Sequence, residues 1–284
     1  MDWVPLFFID AVCHQLKLEA FQEVSKLSAD WSEFGAEHRE KRRELAFVCN
    51  HGHTTSYSLK DRKHVTELVV AELNLEFDRI TSVSCTPGKY CPNRISMDEF
   101  KSYVLPTVSS LVTECDWGYL YPDLSDQNQV FFNAFKNCPG FNEIEVQEQG
   151  EESQHFVTRQ VELGNVQILT LNARLAVQWP KPEKLAKTLH IFVNSSRFQR
   201  LIYHGPLPND TELFELFLER ALAGELKWGA CILLRNITSA KSQRISGLRP
   251  ECREASTEIA WRIPNSNLRI MLTQTYKTLW MGVQ

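Results

Sequence analysis

The chain has 284 residues, a net charge of −4, 43% hydrophobic residues and 23% charged ones. That length suits one large domain or two smaller ones with a sizeable core, and the ordinary composition excludes disordered and low-complexity classes. No stretch approaches the roughly 18 uninterrupted apolar residues of a membrane span, and the mild negative charge gives no general attraction to nucleic acid.

The first apolar stretch, "VPLFFIDAVCHQL", lacks the basic start and small-residue cleavage site of a secretory signal, so export is not expected. It reads instead as a helix with Pro5 at its first position, where a missing N–H costs nothing. Phe8, Ile9, Val12 and Leu16 then share one face, while Phe7 points away, near Asp10 and His14. In "KLEAFQEVSKL", Leu18, Phe21, Val24 and Leu27 recur every three residues and predict a second amphipathic helix. A third is expected to open at Trp31 and Phe34 with Asp30 as its cap, and to run through "HREKRREL" at 38–45. That basic block reads as a solvated face complementing a helix C-terminus.

At Ala46 the composition turns strand-like in "AFVCNHGHTTSYSL". Beyond it, "FDRITSV", "FNEIEV" and "FQRLIY" each place Phe two polar residues before Ile or Leu, at Phe77, Phe141 and Phe198. The last two share their approach as well: Phe135 lies as far from Phe192, and Asn137 from Asn194, as Phe141 does from Phe198. Strand-like runs also occur in "WGYLYP", "NVQILTL" and "LKWGACILL", and "NDTELFELFLERAL" is an amphipathic helix capped by Asp210 or Asn209. Two arrangements fit this alternation: a curved α/β array like an irregular leucine-rich repeat, or an ordinary α/β layer. After a polar, basic loop, "TEIAWRI" and "LRIMLTQTYKTLW" read as strands paired around "PNSN", a hairpin suited to closing a sheet edge.

The eight cysteines, Cys13, Cys49, Cys85, Cys91, Cys115, Cys138, Cys231 and Cys252, form no CxxC pair and read as reduced thiols of a cytoplasmic or nuclear protein. The acceptor patterns at Asn194, Asn209 and Asn236 are then unused. On a strand, Cys49, His51 and His53 would share a face, but no fourth ligand is marked, so no metal is expected there. Cys85 and Cys91 flank a Pro-Gly turn. No cofactor is expected: there is no GxSxG, Walker, HExxH or GxGxxG motif, and Glu143, Glu145 and Glu148 have the spacing of a solvated strand and loop. Trp117, Tyr119, Tyr121 and Trp228 are candidates for either core or a binding face.

The N-terminal stretch resembles the F-box. Val4-Pro5 stands in the Leu-Pro place, followed by Phe8, Ile9, Val12 and Leu16; then Phe21, Val24 and Leu27 lead into "LSADW", with Trp31 in the Trp place. It departs at Val4, usually Leu, and at Asp30, where a basic residue is usual. The whole chain looks like the divergent F-box proteins expanded in nematodes. The resemblance implies an α+β or α/β protein with a small three-helix unit at 1–45 and a larger helix/strand substrate-recognition body at 46–284. It implies a Skp-type adaptor protein as partner, bound through Val4, Pro5, Phe7, Phe8, Val12, Leu16 and Trp31, with Phe8, Val12 and Leu16 also serving the core. A protein substrate would be chosen by the body, and catalysis would belong to other subunits of the ubiquitin ligase. The rival expectation is an interaction scaffold unrelated to ubiquitin, whose helices merely cap the body. Neither membrane nor nucleic acid is expected as a partner.

Overall fold

The computed structural model describes residues 4–16, 18–51, 55–85, 91–120, 125–147, 150–172, 179–204, 210–235, 253–255, 258–262, 268–273 and 278–283. Three N-terminal helices come first: α1 (Leu6–Gln15), α2 (Phe21–Val24), entered through a 3₁₀ turn at Leu18–Ala20, and α3 (Ala29–Lys41). The second is shorter than its periodicity predicts. It stops at Val24, after which the amides of Ser25, Lys26 and Leu27 close tight turns on Phe21, Glu23 and Val24. Ser28, not Asp30, is the residue before α3, and Asp30 sits inside the first turn, where a carboxylate favours the N-terminal end of the dipole.

The body follows as β1 (Glu44–His51), β2 (Thr55–Asp61), β3 (Glu67–Leu68), β4 (Arg79–Cys85) and β5 (Asn93–Arg94), then α4 (Met97–Glu99) and α5 (Leu105–Ser110). A π-helical turn, Phe100–Val104, separates the two helices. Pro106 explains it: without an N–H, and with a ring that crowds the carbonyl one turn back, proline cannot continue a regular helix, and one widened turn accommodates it. Strands and helices then alternate: β6 (Val112–Leu120), α6 (Ser125–Phe135), β7 (Glu143–Gln147), α7 (Glu151–Leu163), β8 (Ile168–Asn172), α8 (Pro182–Asn194), β9 (Arg200–His204), α9 (Asp210–Leu222) and β10 (Cys231–Arg235). Last come β11 (Arg253–Ala255), β12 (Glu258–Arg262), β13 (Leu268–Thr273) and β14 (Thr278–Val283).

All the described strands join one sheet, in the order β11-β12-β13-β14-β10-β9-β8-β7-β6-β4-β1-β2-β3, with β5 against β2. From β1 through β4, β6, β7, β8 and β9 to β10 the neighbours are parallel and follow chain order. The fold is therefore α/β in its centre, with antiparallel strands at both ends. The expected hairpin around "PNSN" forms between β12 and β13, and β14 closes the array by pairing antiparallel to β10.

Helices α5 to α9 pack each against the next, as one layer over the sheet. Alternation decides which side chains meet that layer: Ile144 and Val146, Leu169 and Leu171, and Leu201 and Tyr203 are buried, while Glu145, Thr170 and Ile202 between them are half-buried. The three similar segments occupy equivalent levels. Phe77, Phe141 and Phe198 are each buried two residues before a strand, β4, β7 and β9. Phe141 lies edge-on to Phe135 and Phe156, and Phe198 edge-on to Phe192 and Phe217, so the matched approaches do become matched packing. Phe77 differs, because its ring faces the N-terminal helices.

One strained position stands out in the β2–β3 turn. Val65 is 76% exposed with φ 55°, while its amide donates to the Asp61 carbonyl at 2.8 Å and the Asp61 carboxylate accepts from the Lys63 and His64 amides. Left-handed backbone costs an L-residue roughly 1–2 kcal/mol, and a β-branched one is the worst suited. Val65→Asn should therefore stabilise the protein by about 1 kcal/mol, seen as a higher urea midpoint at unchanged slope. An unchanged or lowered midpoint would remove the strain account.

Candidate functional site

The N-terminal helices have their own small core. Ile9 and Cys13 of α1, one turn apart, are buried against Phe21 and Val24, with Val4, Leu16, Leu18, Trp31 and Phe34 packed around them. Gly35 of α3 allows this closeness, since a Cβ there would stand 2.8 Å from Val24 Cγ1.

The expected partner-binding residues divide unevenly. Pro5 lies one position before the helix rather than inside it, and its carbonyl accepts the amides of Phe8 and Ile9. Val4, Leu16 and Trp31 pack on the small core, and Val12 is half-buried. Phe7 faces out as expected, at 77% exposure. Phe8 does not serve the core: it is 49% exposed, and Cys13 takes the buried place instead. The reason is rotational, since burying Ile9 and Cys13 at i and i+4 turns Phe8 toward the rim of the face. Leu6, which the sequence reading passed over, is 54% exposed, so three consecutive apolar side chains stand in solvent at the start of α1.

This unit is bound to the body by a polar seam. His38 is 1% exposed, and its Nε2 donates to Asp10 Oδ1 at 2.9 Å, while His14 Nε2 lies 3.3 Å from Asp10 Oδ2. Arg42 approaches His38 Nδ1 at 3.2 Å and also donates to the Cys13 and Leu16 carbonyls at the end of α1. From β4, Arg79 donates to His14 Nδ1, and the Phe77 ring meets His14 and His38 at centroid distances of 6.4 and 5.2 Å. Beside it, Arg43 grips the fully buried Asp78 carboxylate in a two-point pair, at 2.8 and 2.6 Å. Arg42 also lies over the Phe21 ring at 4.8 Å. The basic block at 38–45 is thus only partly a solvated face. Arg39, Glu40 and Lys41 are exposed, but His38 and Arg42 are interior.

The electrostatics follow from this crowding. Burial, opposed by the hydrogen bond to Asp10, lowers the His38 imidazole below its ordinary range, with His14 and Arg42 adding to the effect. Burial works to raise the Asp10 carboxyl, yet the His38 hydrogen bond and the nearby His14 hold it below the usual value. Burial, with Arg79 close by, brings Arg42 down to about 10.

Asp10, His14 and His38 have the composition of a metal set, with ligand atoms within 4.8 Å of one another. Their hydrogen bonds do not suit a metal. Arginine can only donate, so each histidine Nδ1 is an acceptor and each Nε2 carries the proton that faces Asp10. A metal would need those Nε2 lone pairs, and would sit beside two guanidinium groups.

In the body, Cys49 and Cys85 are in register on β1 and β4, and Cys91 donates to the Val48 carbonyl at 3.7 Å. Burial and the neighbouring thiols push the Cys49 thiol well up, away from the thiolate that binds metals. His53 and Glu148 lie outside the described residues, as do Tyr121, Asn209 and residues 236–252, where most of the expected polar loop falls; the part of that loop at Arg253–Ala255 is the strand β11 instead. Glu145 is half-buried and accepts from Asn172 Nδ2 at 3.0 Å; burial raises its carboxyl while that bond works against the shift. Trp228 stands exposed just before β10, and Trp117 and Tyr119 belong to β6.

No protein-family model matches the chain, and no curated protein matches it. Among the described residues no helix is long and apolar enough to cross a membrane.

Proposed function

We propose that the chain is the substrate-recognition subunit of a Skp-cullin-F-box type ubiquitin ligase, working in the cytoplasm or nucleus. Its N-terminal helices dock on a Skp-type adaptor protein, and its α/β body selects a protein substrate without doing chemistry itself. The observation that carries this reading is the exposed Leu6-Phe7-Phe8 run on a helix whose other face is already packed. Consecutive exposed aromatics are costly in water and are the side chains from which binding hot spots are built. Pro5 fixes the approach of the chain to this run, as the F-box resemblance requires.

The polar seam favours a second reading, an interaction scaffold unrelated to ubiquitin. A unit held by the pairing of Arg43 with the buried Asp78 and by the histidine cluster is well suited to capping the sheet. One experiment separates the two. The purified full chain, titrated with a purified Skp-type adaptor, should form a complex at concentrations of tens of micromolar or below, about −6 kcal/mol or stronger. Absence of a complex in that range overturns the ligase reading and favours the scaffold.

A further inference from the structure

Parallel strands laid down in chain order place every right-handed crossover on the same side of a sheet. In the body, α5 to α9 form that single layer, on the side of Ile144, Leu169 and Leu201. Parallel sheets ordinarily have both faces covered. Over β7, β8 and β9, no second helical layer is described on the other face, where the half-buried Glu145, Thr170 and Ile202 lie side by side in register.

This face is short of hydrogen-bond donors. Burial pushes the Glu145 carboxyl up, and Asn172 Nδ2, at 3.0 Å, is its one partner among the described residues. The register explains the lack of a counter-ion. Thr170 and Ile202, beside Glu145, carry no charge, and the exposed Arg200 of β9 sits one pair lower, in the row of Glu143 and Ile168. One pair higher on β7, the Gln147 side-chain oxygen is buried without a donor.

We propose that the bare face over β7, β8 and β9 is the protein-docking surface of the body, and that Glu145 receives an arginine side chain of the partner. The inference rests on the part of the proposed function in which the body selects a protein, a part the scaffold reading shares. A half-buried carboxylate without a cation is a standing cost to the free chain, and such perturbed groups concentrate at functional sites. One bond from Asn172 leaves lone pairs on both carboxylate oxygens, enough for the planar, donor-only fork of a guanidinium to engage at two points. Its remaining N–H groups answer the shortage at Gln147, and its flat, weakly hydrated plane suits a position beside Thr170 and Ile202. Lysine fits less well, because a compact ammonium is more strongly hydrated and loses more on entering a half-buried site. An acidic partner would add a second carboxylate to the row.

Selection of a random heptapeptide library on the purified full chain, followed by affinity measurement of the best peptide, tests the assignment. One arginine should be fixed among the selected peptides. Replacing it by citrulline, which keeps the shape and removes the charge, should weaken binding by about tenfold or more. Glu145→Gln keeps an acceptor for Asn172 and should weaken the arginine peptide by a similar factor, while the citrulline peptide binds variant and wild type alike. Thr170→Arg sets a guanidinium beside Glu145 within the chain; it should block the arginine peptide and serves if Glu145→Gln does not fold. Failure to select any peptide, selected peptides without a fixed arginine, or an arginine peptide that binds whichever variant folds as tightly as wild type would overturn the assignment. Adaptor docking through α1 is read in its own titration, so the failure of one result is distinguishable from the failure of the other.

Discussion

Phe141→Ala should destabilise the protein by about 3–5 kcal/mol, a large part of the 5–15 kcal/mol that a folded protein of ordinary stability commands. The ring is fully enclosed, with Phe135 and Phe156 edge-on at 6.2 and 5.9 Å. Truncation removes both the buried area and the two aromatic contacts, and leaves a cavity between α6, α7 and the sheet that cannot collapse without shifting a helix. Asn142→Ala, one residue on, should stay within about 0.5 kcal/mol. What Asn142 gives the sheet is backbone: its N–H donates to the Cys115 carbonyl, and its carbonyl accepts from Gln167 and Ile168, all of which alanine keeps. Phe198→Ala should behave like Phe141→Ala, since Phe192 and Phe217 enclose it in the same way. Urea denaturation of the three variants checks this. Similar midpoints for Phe141→Ala and Asn142→Ala would show that the repeated Phe positions are not the pillars of the array.

Phe7→Asp should leave stability almost unchanged and weaken binding of a Skp-type adaptor at least thirtyfold. Phe7 is the most exposed large apolar residue of α1, so little in the folded chain is lost with it. A carboxylate in the first turn of a helix that has no acid there is mildly favourable, by roughly 0.3–1 kcal/mol. In the complex the same carboxylate would be buried against apolar surface without a partner, and loss of a hot-spot contact alone costs about 2 kcal/mol or more. Leu16→Asp should reduce both stability and binding, because Leu16 packs on the Ile9 cluster. Thermal melts beside adaptor titrations separate the two effects. Wild-type affinity in Phe7→Asp would mean that α1 does not dock through its exposed run.

The sequence by itself determined the alternation of helix and strand, the matched Phe135/Phe141 and Phe192/Phe198 pairs, the terminal hairpin and the outward position of Phe7. All of these are encoded in local periodicity and spacing, which a strand or helix expresses wherever it is placed. Only the tertiary structure decided which residues of α1 are buried. Periodicity marks an apolar stripe but not its centre, and the approach of α2 and α3, close enough to demand Gly35, selected Ile9 and Cys13 over Phe8. The seam was equally out of reach. Asp10 and His14 are one turn apart, as are His38 and Arg42, and these spacings are visible in the chain. A basic block on a helix is nevertheless solvated by default, and His38 and Arg42 became interior because Phe21 and, far along the chain, Phe77 pack on the imidazole, while Phe21 and the carbonyls at the end of α1 take the guanidinium. Burial of a charged residue is a property of its partners, and partners separated by that much chain leave no local trace.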